Sequence, residues 1–305
     1  TGGLSVTGGV SAFGGLSLSM GGDGGEGKYG GTVNVTNSGS IDTQGEYAYG
    51  IKAQSIGGGG GSGGASGSVM ANFSSLIPIP DEYPTGSINI ALALGGSGGT
   101  GGKGGTVNVT NNGRITTEGD FSHAIFAQSV GGGGGDGGKS IAATANISMP
   151  EGASDEEVSK QLEVKVDFAM AIGGSGGSGQ TGGAVVVTNN RFIDTFGIGS
   201  HGIFAQSIGG GGGTGGDARS MILSIDPSNW GPEQPELPDP MSISVGATLS
   251  VGGSGGTAAD GGAVNIYNHQ RIVTRGADAY GILAQSIGGG GGIGGGGYHG
   301  LDWKD

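Results

Sequence analysis

The sequence contains no cysteine, only nine prolines, and only 12 Lys and Arg among its 305 residues. The absence of cysteine excludes disulfides and fits either the cytosol or a secreted protein. Because 25 Asp and Glu bring the formal net charge to −13, nucleic acid is an unfavourable partner, since phosphate binding needs clustered cations. No apolar run approaches the ~18 residues of a membrane-spanning helix. No basic, apolar leader opens the chain, which predicts that any export signal has been removed or was not included.

Glycine is the residue in excess, with 80 of 305 positions, whereas about 7% is usual. So much glycine with little proline and no strict Gly-X-Y period excludes a collagen helix. A compact helical domain is also unfavourable, because each glycine costs about 1 kcal/mol in a helix relative to alanine. The composition therefore favours an extended, strand-rich chain.

The chain is built from four repeats, marked by the string Ala-Gln-Ser-(Ile/Val) followed by five glycines. Successive copies are 74, 78 and 79 residues apart. A Gly-Gly pair precedes the glutamine by 33 residues in every copy, whereas the distance from the glutamine to the next pair varies from 41 to 46. Constant length is expected where successive coils stay in register, and variable length where loops leave the body. We therefore divide the chain into repeat 1 (1–64), repeat 2 (65–138), repeat 3 (139–216), repeat 4 (217–297) and a tail (298–305) of one continuous solenoid.

Four strand-like segments recur in the repeats. In repeat 2 the constant part holds an alternating segment around Val107 and Val109, then Ile115-x-Thr117, then Ile125-x-Ala-Gln-Ser. A fourth alternating segment, with apolar residues on one side and small or polar residues on the other, precedes each later Gly-Gly pair, a pattern typical of a half-buried strand. Short strands at fixed intervals predict an all-β fold, an elongated parallel β-solenoid or β-helix.

The glycine tracts have a period of three, because they read Gly-Gly-X over residues 95–105 and in the other repeats. Three residues per turn is the geometry of polyproline II, which glycine can also adopt. Two of its three faces would be bare backbone that packs closely against neighbours. Flexible linkers are the alternative that composition alone favours. The unchanged 33-residue length favours ordered glycine helices or tight glycine-rich coil sides.

All nine prolines lie in three segments, residues 74–85, 149–163 and 226–241, which also account for −10 of the net charge. Proline cannot donate a hydrogen bond to a strand ladder, so these segments are expected to be loops that leave the solenoid. Repeat 1 has no such segment. We take the aromatic and acidic side chains of these loops as candidate contact residues, namely Tyr83, Asp155, Glu156, Glu157, Trp230 and Glu233.

Patterns for metal binding and catalysis are weak. His123 and His201 occupy the repeat position of two tyrosines, so an aromatic ring on the coil is a simpler explanation than a metal ligand. Asp136 follows glycines as in a calcium-binding nonapeptide, but the other repeats lack a carboxylate there. A solenoid lyase or hydrolase needs grouped carboxylates on one coil face, and the acidic residues instead concentrate in the loops. We expect no catalytic residue, no metal and no cofactor.

The remaining repeated polar residues are interpreted as structural. They are the glutamines Gln54, Gln128, Gln206 and Gln285 and the strand-ending asparagines Asn37, Asn111, Asn189 and Asn268. Asparagine tolerates the left-handed conformation of a corner, and its amide can bridge coils. The recurrent threonines, such as Thr117, could form an ice-binding row, but a residue two positions from an isoleucine shares its face and is expected to point inward.

The pattern Ile-x-Thr-x-Gly-x-x-Ala-x-Gly-Ile-x-Ala-Gln-Ser-Ile-Gly-Gly-Gly-Gly-Gly covers residues 41–61 and, with local substitutions, 272–292. It resembles the glycine-rich repeat of passenger regions in Gram-negative autotransporters, the type V secreted surface proteins. The resemblance spans all four repeats. It implies export, passage through an outer-membrane barrel, and display on the cell surface as a β-helix, often in adhesion. The signal peptide, the C-terminal translocating barrel and an autochaperone segment are not recognised, so the resemblance implies a piece of a longer passenger.

The sequence thus predicts an extracellular, non-enzymatic stalk that adheres to cells or surfaces through loops on a rigid glycine-rich solenoid. Its expected partner is a host or neighbouring-cell surface ligand, or a second copy of the chain through self-association. Contact with a membrane is expected only through a translocator barrel outside this chain. The alternative is a non-adhesive spacer or a self-assembling extracellular filament.

Overall fold

The computed structural model describes residues 1–11, 14–74, 86–148, 163–225 and 242–302. Twenty-one β-strands are present in these ranges, and the described residues contain no helix. All strand pairs are parallel, and the strands form five sheets. We name these sheets A to E in the order in which the chain first enters them.

Each sheet collects the equivalent strand of every repeat. Sheet A consists of β1 (Ser5–Ser11), β6 (Ser66–Ser74), β11 (Ser140–Ser148), β16 (Ala218–Ile225) and β21 (Gly297–Asp302). Sheet B consists of β2 (Gly14–Met20), β7 (Gly86–Leu94), β12 (Glu163–Ile172) and β17 (Ser242–Val251). Sheet C consists of β3 (Val33–Asn37), β8 (Val107–Asn111), β13 (Val185–Asn189) and β18 (Val264–Asn268). Sheet D consists of β4 (Ile41–Thr43), β9 (Ile115–Thr117), β14 (Ile193–Thr195) and β19 (Ile272–Thr274). Sheet E consists of β5 (Ile51–Ile56), β10 (Ile125–Val130), β15 (Ile203–Ile208) and β20 (Ile282–Ile287).

Equivalent residues of consecutive repeats pair directly in these sheets. In sheet E, Gln128 lies opposite Gln54 on one side and Gln206 on the other, and Gln206 lies opposite Gln285. A single repeat therefore supplies one layer, and the 74 to 79 residues between equivalent positions separate neighbouring strands. The described chain is all-β, with parallel strands in stacked sheets, an arrangement consistent with a β-solenoid.

Sheets C, D and E share an apolar core of Val, Ile and Ala side chains. Ile115 and Thr117 are both fully buried, so the threonine points inward beside the isoleucine, as the spacing predicts. Stacking supplies much of the burial. Ile203 in repeat 3 is 0% exposed, whereas its equivalent in the last layer, Ile282, is 46% exposed.

Sheets A and B pack against each other and form a two-sheet unit that we call the arm. Its interior holds mostly small and polar side chains, with Ala91 and Ala169 both 0% exposed, and it also buries Met70 and Ile222. The apolar residues of the alternating sheet B strands point away from sheet A, and Ile88 is 60% exposed. The alternation correctly identified strands, but the buried side is the small and polar one. Small side chains on both facing surfaces let the two sheets approach closely.

Hydrogen bonds join the glycine tracts of neighbouring repeats. Each repeat has one tract after its sheet B strand and another after its sheet E strand. Gly98 N–H donates to Ser175 O of the equivalent tract in the next repeat (2.8 Å). Gly99 N–H donates to Gly61 O of the other tract (2.8 Å), and Gly61 N–H donates to Gly25 O (2.7 Å). The same two directions recur every three residues, so the tracts are cross-linked along their length.

Close approach, and not backbone conformation, explains most of the glycines. Among the described glycines only Gly14 and Gly199 have a positive φ in the left-handed region. A Cβ on Gly99 would lie 2.1 Å from Gly25 O, and a Cβ on Gly135 would lie 2.0 Å from Gly61 O. Neighbouring backbones therefore occupy the space that any side chain would need.

One expectation about the corners is wrong. None of the four strand-ending asparagines has a positive φ. The left-handed corner lies ten residues further on, at Tyr47 (φ 54°), Phe121 (53°), Gly199 (64°) and Asp278 (54°). The asparagines instead close a turn with their side chains: Asn111 Nδ2 donates to Gly113 O at 2.7 Å. This bond stabilises the turn without a left-handed residue.

Candidate functional site

The predicted contact residues lie outside the described residues. They are Tyr83, Asp155, Glu156, Glu157, Trp230 and Glu233. The strands that flank their segments are described. Each segment connects the end of a sheet A strand to the start of a sheet B strand, as between Ser74 and Gly86, and the flanking strands of successive repeats pair in register. In repeat 1 the same connection has only residues 12–13, between Ser11 and Gly14. The three long segments therefore leave from equivalent positions at one end of the arm.

A second candidate surface is the face of sheet B that points away from sheet A, which we call the sheet B outer face. It is defined by Leu16, Leu18, Met20, Ile88, Ile90, Leu92, Leu94, Val164, Val166, Phe168, Met170, Ile172, Ile243, Val245, Ala247, Leu249 and Val251. Register arranges these side chains in rows, one of which runs Leu18, Leu92, Met170, Leu249. The face has no charged or hydrogen-bonding side chain. Sequence reasoning found these strands but missed this surface.

The interior of the arm is unusually polar. Asn89 Nδ2 donates to Asn146 Oδ1 (2.9 Å) and to Asp167 Oδ1 (3.0 Å), and Asn146 Nδ2 also donates to Asp167. Asp167 is only 3% exposed, so two amides stabilise a buried carboxyl group. Both amide atoms of the buried Asn72 have no hydrogen-bond partner among the residues that the structure describes. Because the facing side chains are small, this unpaired amide is the kind of group that ordered water satisfies in protein interiors.

Aromatic rings form a column beside sheet E at the histidine position. The His123 and His201 rings stack with centroids 4.6 Å apart, and the rings of Tyr49 and Tyr280 continue the column at 5.3 and 5.2 Å. His123 Nδ1 accepts the backbone N–H of His201 at 3.1 Å, and His201 Nδ1 accepts that of Tyr280 at 3.1 Å. Burial, and secondarily the neighbouring His201, lowers the pKa of His123 to about 4, and burial also lowers the pKa of His201. These nitrogens hold successive layers together.

Two ladders of amide side chains cross the layers. In sheet E each glutamine donates to the next one, over 2.7 Å from Gln54 to Gln128, 2.7 Å to Gln206 and 2.8 Å to Gln285. The asparagine ladder is similar, with 2.8, 2.8 and 2.7 Å along Asn37, Asn111, Asn189 and Asn268. Side-chain amides thus extend the backbone ladders across all four repeats.

Several aspartates outside the strands also form hydrogen bonds between successive layers. Asp136 Oδ1 accepts the N–H of Thr214, its equivalent in the next repeat, at 3.0 Å, and the Thr214 hydroxyl at 2.6 Å. These two hydrogen bonds lower the pKa of Asp136. Asp23 and Asp120 accept N–H groups of the following repeat in the same way. These carboxylates therefore act as caps between layers.

The described residues contain no group of three or more His, Asp or Glu side chains arranged to bind a metal ion. No helix within the described ranges is long and apolar enough to cross a membrane. Comparison with protein-family models, with curated proteins and with solved structures gives no match for this chain.

Proposed function

We propose that the chain is a stalk of an autotransporter-type surface passenger, which adheres to cells or surfaces through its Pro-rich segments. In this proposal each repeat closes into one coil of an elongated solenoid, and the glycine tracts run as helices of the polyglycine II type. The three-residue spacing of the hydrogen bonds supports this geometry. The protein works outside the cell and binds a ligand without catalysing a reaction.

The observation that carries this proposal is the common origin of the three segments. They begin after Ser74, Ser148 and Ile225, which end adjacent strands of sheet A. Neighbouring parallel strands lie about 4.8 Å apart, so the three segments start side by side on a hydrogen-bonded platform. The short connection of repeat 1, residues 12–13, supports the view that the three longer segments are additions to the scaffold. Adjacent variable loops on a rigid scaffold are the usual form of a binding site.

Deletion of residues 226–241 tests the adhesive role. The deleted segment is replaced by Ala-Phe, the two residues that join the same sheets in repeat 1. Beads that carry the purified chain are applied to cultured epithelial cells and to bacterial lawns, and the attached beads are counted. We expect attachment to fall severalfold while the circular dichroism spectrum and thermal midpoint are retained.

A matched variant changes charge without changing length, with Glu233→Gln and Glu236→Gln in the same segment. Reduced attachment of this variant identifies a cationic ligand, and full attachment identifies aromatic or backbone recognition by the same loop. Unchanged attachment of the deletion variant on every surface would contradict the adhesive proposal and favour the non-adhesive spacer.

A further inference from the structure

The side chains that define the sheet B outer face are all apolar. Its central rows are Leu16, Ile90, Phe168, Ala247 and Leu18, Leu92, Met170, Leu249, in register across the four strands. The outward positions of sheet E are mixed, because Lys52 and the glutamine ladder lie among apolar residues such as Phe126. Sheet A also has outward apolar side chains, such as Val69 and Ile141, but glycines and Arg219 interrupt them. Only the sheet B side of the arm therefore has apolar rows that no glycine and no charged side chain interrupts in its central part.

This face is open to solvent in the described structure. Leu16 is 68% exposed, Ile88 is 60% exposed and Val245 is 53% exposed. Among the described strands, those of sheet B pack mainly against one another and against the strands of sheet A. Single exposed apolar residues are ordinary on protein surfaces, but a contiguous patch of several hundred Å² marks an interaction site.

The sheet B outer face is large enough to pack against a second sheet. Four strands about 4.8 Å apart, with about nine residues that rise about 3.3 Å each, cover about 600 Å². Two such faces packed together would bury about 1,200 Å², which reaches the lower limit for a stable, specific interface. Large side chains in rows can interdigitate with a second sheet at the ~10 Å spacing of sheet-on-sheet packing.

We propose that the sheet B outer face is a self-association site, on which a second copy of this chain packs its own sheet B outer face. A two-fold interface needs only one self-complementary patch, and this patch has no charge that would require a different partner. A lipid bilayer is a poorer occupant, because the edges of sheet B leave backbone groups unpaired and hydrocarbon does not satisfy them. This inference does not rest on the proposed adhesive function.

Charge determines the orientation of the two copies. The acidic segments, which account for most of the net charge, join sheet B at the Val164 end of β12, whereas the Ile172 end continues into the glycine tract. Repulsion between like charges therefore favours antiparallel strands across the interface, with the two acidic ends on opposite sides. Lateral pairing of this kind would join two stalks side by side.

Sedimentation equilibrium of the full chain tests the pairing. We expect a concentration-dependent mass that approaches twice that of one chain. The double variant Leu92→Thr/Met170→Thr keeps β-forming residues and is expected to weaken association at least about tenfold, because each substitution occurs twice in a two-fold interface. The control Val69→Thr/Ile141→Thr makes the same kind of change on the outward face of sheet A and is expected to leave association unchanged. Both variants are checked for an unchanged thermal midpoint.

If the unmodified protein sediments with the mass of a single chain up to about 0.5 mM, the proposal is wrong. The same result is expected if the chain's own Pro-rich segments cover the face, and that outcome also overturns the proposal. Association that survives the sheet B variant, or that is lost in the sheet A control, would also overturn it.

The orientation is tested with single cysteines, since the chain has none of its own. Val164→Cys and Ile172→Cys are expected to cross-link to each other in a mixture, and neither to itself. Self-cross-linking of either one would contradict the antiparallel arrangement.

Discussion

The imidazole rings of His123 and His201 lie almost parallel, with an interplanar angle of 2° and centroids 4.6 Å apart. Each ring accepts a backbone N–H of the next repeat at Nδ1. An Nδ1 that accepts a hydrogen bond cannot carry a proton, so both rings are neutral in the folded protein. Layer stacking therefore depends on the protonation state of these two side chains.

The lowered pKa of His123 predicts a specific dependence of stability on pH. Between the unfolded pKa of about 6.5 and the folded pKa of about 4, the unfolded chain binds more protons than the folded chain. The free energy of unfolding contributed by this group is fully present above pH 6.5 and is lost as pH falls toward 4. The urea midpoint, measured from pH 7.5 to pH 4, should decrease over this window.

Two variants separate this effect from the titration of carboxylates. His123→Tyr introduces the residue found at the equivalent positions in repeats 1 and 4, and it should make the decrease in midpoint smaller. His269→Gln, which replaces an exposed histidine, is measured as the control for the loss of one imidazole. An identical pH profile for His123→Tyr and the unmodified protein would show that His123 is not the titrating group.

Neighbouring glycines of one tract are predicted to differ sharply in their tolerance of alanine. A Cβ on Gly134 would lie 1.8 Å from Gly177 O, whereas the nearest atom to a Cβ on Gly133 is Gly211 O at 3.5 Å. Gly134→Ala should lower the free energy of unfolding by about 3 kcal/mol or more, because backbone must move. Gly133→Ala should change it by less than about 1 kcal/mol, since neither residue has a positive φ. Urea unfolding measures both, and equal tolerance would contradict close packing of the tracts.

Two asparagines of sheet C, Asn111 and Asn108, should differ in their contribution to stability. Asn111 is fully buried, and its amide donates to Gly113 O and Asn189 Oδ1 and accepts from Asn37. Asn111→Ala should lower the free energy of unfolding by about 2–4 kcal/mol, because it leaves buried groups unpaired. Asn108→Ala removes a surface amide that is hydrogen-bonded to Asn34 at 2.8 Å and should cost about 1 kcal/mol or less. Chemical denaturation of the two variants provides the comparison.

The division into layers was predictable from the sequence. Strands of successive repeats stay in register only if the segment between the Gly-Gly pair and the glutamine keeps a constant length. Parallel strands in neighbouring layers pair residue by residue, so an insertion between the Gly-Gly pair and the glutamine would misalign sheets C, D and E. Gln54 and Gln128 are therefore in register both in the sequence and in the structure. The inward threonines followed from the same alternation, since Thr117 shares a face with Ile115.

The direction of sheet B was not predictable from one strand alone. A strand with apolar residues on one side is usually buried on that side, but Phe168 points outward and Ala169 is fully buried. What decides the direction is the partner sheet, whose inward residues, such as Ser140 and Ala142, are also small. The sheet A strand and the sheet B strand of one repeat both have small residues on one side. That shared pattern was the sequence signal for the buried side.

The left-handed corner was not predicted from the sequence, because its residue type differs between the repeats. Tyr, Phe, Gly and Asp occupy the same position in the four repeats, so composition did not mark it. Tyr47 and Phe121 adopt positive φ there and stack with ring centroids 5.4 Å apart. Aromatic residues are rare in this conformation, and packing between neighbouring layers is what stabilises it. Such packing depends on the neighbouring repeat and not on the local sequence.

The glycine tracts are ordered and hydrogen-bonded between layers, a property that residue-resolved amide hydrogen exchange measures. Gly98 and Gly99 donate to Ser175 O and Gly61 O, whereas the Thr100 N–H has no acceptor among the described residues. We predict that Gly98 and Gly99 exchange as slowly as the amides of β8 and β10, and that Thr100 exchanges fast. Uniformly fast exchange along residues 95–105, with slow exchange only in the strands, would show that the glycine tracts are not ordered by hydrogen bonds between layers.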